Sequence, residues 1–191
     1  MAEKNKIQYG LSNVRYAKVI NETDGAIEYD TPKRIPGAVT FTMDPQQENM
    51  RFDADNTNYF STFVNNGYSG TLTMAIITDE FKIDCLGFEE IDGVVLEKGN
   101  ALSTPFALMW QFEGDKHGVR YVSYYNTAGR PTVAGQTKGS TIEPGTQEMQ
   151  IEAQARPTDD WVKTNTNENT TPEVYNSWFD KVHEPTEVGG V

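Results

Sequence analysis

The stretch that decides the fold class is Phe106-Ala107-Leu108-Met109-Trp110-Gln111-Phe112-Glu113. Its largest side chains recur at every second position, which is the period of a β-strand with one buried face. Its apolar part, 106–110, is the longest uninterrupted apolar run in the chain. Because a membrane-spanning helix needs roughly 20 apolar residues, this run predicts a buried strand and no membrane insertion.

The same alternation predicts further strands on both sides of this stretch. The most regular runs from Glu148 to Ala155, with one apolar face and one polar, acidic face. Thr occurs 21 times and Asn 14 times, and both residue types disfavour helix interiors. The sequence therefore predicts a mainly β fold. The other predicted strands contain Val39, Phe41 and Met43; Leu72, Met74 and Ile76; Val119 to Tyr125; and, less regularly, Ile7 to Ile20.

A short helix is predicted after the strand that contains Leu72. Thr78 is a suitable N-cap, two acidic residues follow it in the first turn, and Gly87 suits the C-terminal end. Cys85 falls on the apolar side of this helix beside Asp84, which would raise its pKa. We therefore interpret Cys85 as an inert core residue.

A second helix is predicted near the end of the chain. Thr171 is its N-cap and Pro172 takes the first helical position. The exposed aromatic residues Trp161, Trp178 and Phe179 follow or lie in a polar linker, and such side chains are usually covered by something. They dock either on their own domain or on a neighbouring subunit. The apolar stripe of the helix contains Val174, Tyr175, Trp178, Phe179 and Val182.

Three irregular segments are predicted between these elements. Asp44–Tyr59 is long and polar for a connection between strands, which makes it a candidate contact arm. Gly135–Thr146 has the turn residues of a shorter loop, and Arg156–Thr171 reads as a polar linker that lets the last helix reach beyond its domain. The predicted division is a β domain over 1–156, with a protruding loop at 44–59, and a linker with a terminal helix and tail over 157–191.

Composition excludes several classes of protein. The 191 residues include 16 Lys and Arg against 28 Asp and Glu, a net charge of −12. This acidity argues against binding to nucleic-acid phosphates, which needs clustered basic residues. A single Cys rules out an internal disulfide and a cysteine-based zinc site. The N-terminus has no apolar stretch typical of a secretory signal, so we expect folding in the cytoplasm.

No constellation of residues predicts catalysis or metal binding. His117 and His183 are far apart in polar contexts, and the pairs Glu89-Glu90 and Asp159-Asp160 are typical of a solvated acidic surface. Asp53 to Asn58 lacks the Gly and the Glu of a calcium loop, so a polar turn is the better interpretation. We expect neither an enzyme nor a bound cofactor or metal.

The order of short motifs along nearly the whole chain resembles the major tail tube proteins of long, non-contractile-tailed phages of Gram-positive hosts. No single motif is specific; the weight lies in their shared order. The motifs are Tyr9-Gly10-Leu11, Tyr16-Ala17, Asp53-Ala54-Asp55-Asn56, the run 67–75, Thr78-Asp79-Glu80-Phe81, Leu86-Gly87-Phe88, the run 92–97, the run 105–108, the run 120–126, Gly129-Arg130-Pro131, Thr171-Pro172-Glu173 and the run 178–182.

The resemblance implies a β-sandwich of two packed sheets flanked by a short helix, in a protein without enzymatic activity. It implies six copies in a ring and rings stacked into the tail tube of a virion, with assembly in the host cytoplasm. The implied partners are other copies of the chain and the tape measure, tail terminator and distal tail proteins. Double-stranded DNA would pass through the tube without specific binding.

Within this interpretation, the charge and the segments acquire roles. An acidic wall repels DNA, so we expect the polar face of the strand at 148–155 to line the lumen. We expect contacts between rings from the 44–59 arm and the terminal segment. The lumen residues are Glu148, Gln150, Glu152 and Gln154, and the stacking residues are Gln47, Arg51, Asp53, Asp55, Trp161, Trp178 and Phe179.

Two other classes of function stay open at this point. A carbohydrate-binding β-sandwich module of a phage tail is the main alternative, with Trp110, Trp161 and Tyr124 as a stacking platform. An enzyme that uses paired carboxylates is the other, although no acid and base pair stands in a recognisable context.

Overall fold

The computed structural model describes residues 3–23, 25–135 and 144–185. Most of the predicted 135–146 loop and the end of the predicted tail lie outside these residues. The elements are β1 (Gln8–Thr23), β2 (Ala26–Tyr29), β3 (Lys33–Arg34), β4 (Ala38–Ala54), β5 (Thr57–Met74), α1 (Asp79–Leu86), β6 (Glu89–Ile91), β7 (Val94–Leu96), β8 (Phe106–Gly114), β9 (Val119–Ala128), β10 (Gln147–Gln154), β11 (Lys163–Asn165) and α2 (Pro172–Ser177).

The fold is mainly β, and the predicted β-sandwich class is confirmed. The pairings of the described strands are all antiparallel, in the order β2-β1-β8-β9-β10-β5-β4, with β3 on β1 and β11 on β9. The hydrogen-bonded strand order is continuous, but β10 pairs with β9 only at the C-terminal end of β9, from Tyr125 to Ala128. The strands β1, β8 and β9 therefore form layer 1 and β10, β5 and β4 form layer 2. β6 and β7 form a separate two-stranded ribbon.

The two layers meet across a single apolar core. Phe41 on β4 packs edge-to-face against Trp110 on β8, with ring centroids 4.9 Å apart, so layer 2 lies over layer 1. On β10, Met149, Ile151 and Ala153 point into the interior and are buried. The alternation predicted for this strand is confirmed.

β8 is buried on both faces, which corrects the expectation of one buried face. Phe106 and Leu108 point into the core between the layers, whereas Ala107 and Met109 point to the outside of layer 1. That outer side is covered by the C-terminal segment of the chain. The near-continuous apolar run at 106–110 is the pattern of a strand covered on both sides.

Two further strand predictions fail at single positions. Val39 is 48% exposed because the register shifts between Ala38 and Thr40, and such a bulge turns the extra residue away from the core. Ile76 is exposed because β5 ends at Met74, and Ile77 is buried in its place. The spacing of apolar residues could not show where the ladder breaks.

α1 covers the core, and its predicted caps are confirmed. The Thr78 side chain accepts a hydrogen bond from the Phe81 amide, and Gly87 ends the helix in the left-handed conformation. The Phe81 ring packs edge-to-face against Tyr16 at 4.9 Å. Cys85 is fully buried, and burial, assisted by Asp84, raises the pKa of its thiol. The interpretation of Cys85 as a core residue is confirmed.

Asp84 fastens α1 to the sheet. Its Oδ2 accepts hydrogen bonds from the Tyr16 hydroxyl at 2.8 Å and from Lys33 Nζ at 2.7 Å. Burial acts to raise the pKa of Asp84, but the hydrogen bonds from Lys33 and Tyr16 outweigh it and the pKa is lowered. The carboxylate therefore stabilises the folded state in its charged form.

We expect Asp84→Asn to lower the free energy of unfolding at pH 7 by about 1–2 kcal/mol, because the ion pair with Lys33 is lost. A lowered pKa stabilises the fold above the unfolded value of about 3.9, and this contribution is lost as the pH falls through the folded value. The difference from wild type in urea unfolding should shrink as the pH falls below about 4. Asp79→Asn, in an exposed pair with Lys82, is the control, expected to cost less than about 0.5 kcal/mol. A difference for Asp84→Asn that does not change with pH would contradict this.

The C-terminal segment lies against layer 1 and does not extend from the domain, which corrects the expectation of a far-reaching helix. β11, in the middle of the predicted linker, pairs with β9 from Tyr121 to Ser123. Trp178 and Phe179 are 3% and 7% exposed and pack with Val182 on the outer side of β8 and β9. Of the two predicted alternatives, the structure shows the first: these aromatic residues pack on their own chain.

Three arginines hold this segment in place. Arg15 donates to the carbonyl of Phe179 at 3.3 Å, and the Arg120 guanidinium lies 3.8 Å from the centre of the Tyr175 ring. The side chain of Arg156 is 6% exposed and makes bidentate pairs with Asp159 and Glu184. These contacts fix both ends of the segment.

Trp178→Ala is expected to destabilise the chain by about 3–5 kcal/mol, because it leaves a cavity over Met109 and Val122. The measurement is the midpoint of urea unfolding. Leu102→Ala, at an 83% exposed position, is the matched control and should change stability by less than about 0.5 kcal/mol. Equal effects of the two substitutions would show that the segment is not docked in solution.

Candidate functional site

The predicted irregular segment at 44–59 is part of a long β-hairpin, which corrects its description as a loop. β5 pairs with β10 only as far as Tyr68, and Pro45 lies opposite Tyr68 on β4. Beyond that point and among the residues that the structure describes, residues 46–66 pair only with each other, over roughly 30 Å at the rise of a β-strand. None of these residues is buried, and only Ala54 is partly covered. We call this free-standing hairpin the arm.

The tip of the arm is the two-residue turn Asp55-Asn56. Both residues have positive φ, 50° and 59°, which is the geometry of a type I′ hairpin turn and is best tolerated by Asn, Asp and Gly. The residues considered above for a calcium loop thus form a hairpin tip. Asp55, one of the predicted stacking residues, is the outermost point of the arm.

One face of the arm is mainly polar, although Phe63 lies on it opposite Asn49, and it includes three more of the predicted stacking residues. Gln47, Arg51 and Asp53 share this face, and Arg51 Nε is paired with Asp53 at 2.8 Å. The Ser61 hydroxyl donates to the side-chain oxygen of Asn49 across the same face at 3.1 Å. All of these side chains are exposed, so they are free to contact another molecule.

The opposite face is largely apolar, with Glu48 and Thr62 as its polar members, and the sequence interpretation missed it. Phe52 lies directly opposite Phe60, 61% and 54% exposed, and Met50 and Val64 extend the same face toward the base of the arm. We call these four residues the arm face. The signal was present in the alternation of Met50 and Phe52 with charged residues, which is typical of a strand. The length and polarity of the segment outweighed it in the prediction.

The outer face of layer 2 is a bare polar surface. Glu148, Gln150, Glu152 and Gln154, the predicted lumen residues, are all exposed on β10. The Ser69 hydroxyl on β5 donates to Glu152 at 2.6 Å, and Gln150 donates to the Thr71 hydroxyl at 3.0 Å. The structure thus brings the four predicted residues together in one row, braced by β5.

The charge of this surface has one sign. Across β4, β5 and β10 the only basic residue is Arg51, and it lies on the arm in a pair with Asp53. Asp44, Glu148 and Glu152 are exposed carboxylates on the part of layer 2 outside the arm. The outer face of layer 1, in contrast, is covered by the C-terminal segment. The molecule therefore has one covered side and one bare, acidic side.

The chain has a structural neighbour in a tube-terminating cap. It is similar to the cryo-EM structure of the anti-feeding prophage cap, with a TM-score of 0.47 and 10% sequence identity over 86% of this chain and 96% of that chain. The sequence matches no protein-family model and no curated protein.

The residues considered as candidates for catalysis or metal binding are dispersed over the surface. Glu89 forms an exposed pair with Lys98, and Asp159 is held by Arg156, which keeps the pKa of this carboxyl below its usual value. The His183 ring stacks on Trp178 at 4.6 Å, and burial lowers its pKa. In the described ranges, no three His, Cys, Asp or Glu side chains form a group that could hold a metal ion. None of the described helices is long and apolar enough to cross a membrane.

The platform considered for carbohydrate binding does not form. Trp110 is 3% exposed inside the core, and Tyr124 is buried under the C-terminal segment. Only Trp161 is partly exposed, and its ring packs on Tyr124 at 5.9 Å and on Arg156. This correction follows from β8 and β9 being covered on both sides.

Proposed function

We propose that the chain is a structural protein of a phage tail that forms hexameric rings, which stack into a tube conducting double-stranded DNA. One observation carries the proposal: the same molecule has a free-standing arm with an apolar face and an uncovered, acidic sheet face. The resemblance in the order of sequence motifs supports it. The function of such a chain lies in its contacts with copies of itself, and we propose that it has no enzymatic activity and no cofactor.

The arm suits contacts between rings. A contact between two different surfaces produces an open, repeating assembly when it does not close into a ring. The contacts that close a ring cannot also join one ring to the next, so stacking needs a separate contact. The arm lies outside the body of the domain and exposes large apolar side chains, which are normally covered in the functional state. We therefore assign the stacking contact to the arm, including Gln47, Arg51, Asp53 and Asp55. Trp161 stays a weaker candidate, because it is partly covered in its own chain.

The outer face of layer 2 suits the wall of a channel for DNA. A wall with Lys or Arg would bind phosphates and release counterions, and this would hold the duplex in place. Carboxylates repel the duplex, and their effect extends about 10 Å at ordinary salt. We propose that Glu148, Gln150, Glu152 and Gln154 of each subunit line the lumen and that DNA passes without specific binding.

In this proposal, the protein is located in the virion tail and assembles in the host cytoplasm. Its partners are its own copies and the proteins that set the length of the tube and close its ends, namely the tape measure, tail terminator and distal tail proteins. The alternative of a carbohydrate-binding module has lost the platform on which it rested.

Negative-stain electron microscopy of the purified chain tests the proposal. The chain is examined at increasing concentration, with and without the complex that seeds tail growth. Six-fold rings or tubes are expected in at least the seeded sample. Single copies under every condition, with specific retention on a glycan array, would overturn the proposal in favour of the binding module.

A further inference from the structure

The β6–β7 ribbon exposes a second set of apolar side chains among the described residues. Its strands are joined by the two-residue turn Asp92-Gly93, and the register places Ile91 directly opposite Val94. Leu96 lies two residues further along β7, so the three apolar side chains share one face, at whose edge Glu89 lies opposite Leu96 in a pair with Lys98. All three are exposed, between 41% and 64%. We call these three residues the ribbon face.

The ribbon and the arm lie at opposite ends of layer 2. The arm begins beyond Tyr68, where the pairing of β5 with β10 ends. The segment that follows the ribbon is tied to the other end, because Glu97 pairs with Arg130 and the neighbouring Thr132 amide donates to the carbonyl of Glu148. The molecule therefore exposes two different apolar surfaces at its two ends.

We infer that the arm face of one copy docks on the ribbon face of the next copy along the tube. This inference rests on the proposed function and names the surface that receives the arm. Two different surfaces at opposite ends produce a head-to-tail contact that repeats without closing. An arm-to-arm contact would instead produce a closed pair and leave the ribbon faces exposed.

The size of the two faces fits this role. Four residues on the arm and three on the ribbon cover much less than the roughly 800 Å² per partner of a stable interface. A single junction is therefore weak, so free copies do not pair. A ring that presents all its arms together makes the junctions simultaneously, and linked contacts bind far more tightly than one.

Crosslinking with engineered cysteines tests the inference. Phe52→Cys places a thiol on the arm face and Val94→Cys places one on the ribbon face, while the native Cys85 is buried and does not compete. Assembled tubes are treated with a short bismaleimide and separated under denaturing conditions. The double variant is expected to yield a ladder of covalent multimers, and a mixture of the two single variants is expected to yield dimers only.

The controls separate the possible outcomes. Phe52→Cys with Ile20→Cys, a similarly exposed site outside the ribbon, should yield no ladder. Dimers from Phe52→Cys alone would show an arm-to-arm contact and overturn the inference. Tubes of the double variant without a ladder would also overturn it while leaving the proposed function intact. A wild-type chain that never assembles would instead refute the proposed function.

Discussion

No tubes are expected from a chain that lacks the arm, although the chain should still fold. Replacing residues 46–67 by Asn-Gly joins Pro45 to Tyr68, which lie opposite each other, through a two-residue turn suited to a hairpin. The deletion removes no large buried side chain, so the free energy of unfolding should change by no more than about 1 kcal/mol. Circular dichroism and urea unfolding check the fold, and electron microscopy checks assembly. Tubes of normal length from this variant would contradict the assignment of the stacking contact.

Point substitutions then show which face of the arm stabilises the stack. Phe52→Asp with Phe60→Asp would place two charges in an apolar contact, and we expect assembly to be abolished. Asn49→Asp with Ser61→Asp adds the same charge to the polar face and is the matched control. It should raise the protein concentration needed for assembly by less than about tenfold, or about 1.4 kcal/mol. The reverse ranking of the two variants would show that the polar face makes the main contact.

Reversing the charge of β10 is expected to convert a channel that does not bind DNA into one that binds it. In Glu148→Lys with Glu152→Lys, every ring would display ammonium groups toward the duplex, and binding through phosphates should fall steeply with salt, by about 0.9 log units per log unit of salt for each phosphate neutralised. Co-sedimentation of variant tubes with short duplex DNA at graded salt measures this. Wild-type tubes should retain no DNA at ordinary salt.

Two controls locate the bound DNA. Glu173→Lys with Asp180→Lys makes the same charge change at exposed positions of the C-terminal segment, which covers layer 1 and lies away from the proposed lumen. DNA held by the β10 variant should resist a nuclease too large to enter the tube, whereas DNA held by the control variant should be digested. Nuclease-sensitive DNA on the β10 variant would place β10 on the outside. Failure of this folded variant to form tubes would place Glu148 and Glu152 in a subunit contact.

The sequence predicted the elements whose signals are local. The caps of α1, Thr78 and Gly87, depend on neighbouring residues only, and the alternation around Ile151 is uninterrupted, so both were predicted correctly. β8 was predicted as a strand, but its second buried face depends on Trp178, which is distant in sequence. Alternation identifies a strand and does not show what covers it.

The arm illustrates a different limit. Within the described residues its two strands pair only with each other, so its apolar face has no partner in the same molecule and the usual sign of a strand, a buried apolar face, is missing. The polar residues around Asp55 therefore outweighed Phe52 and Phe60 in the interpretation. The ribbon face escaped notice for the same reason, since Ile91 and Val94 look like ordinary isolated apolar residues. The bulge at Val39 depends on the register with β5, which sequence spacing does not contain.

A cryo-EM reconstruction of the tubes formed by the wild-type chain tests the central claim most directly. The account predicts six subunits per ring, the outer faces of β4, β5 and β10 toward the bore, and each arm lying against the ribbon of the adjacent ring. A closed dimer, a filament without a bore, or a tube with Glu148 and Glu152 on its outer surface would contradict it.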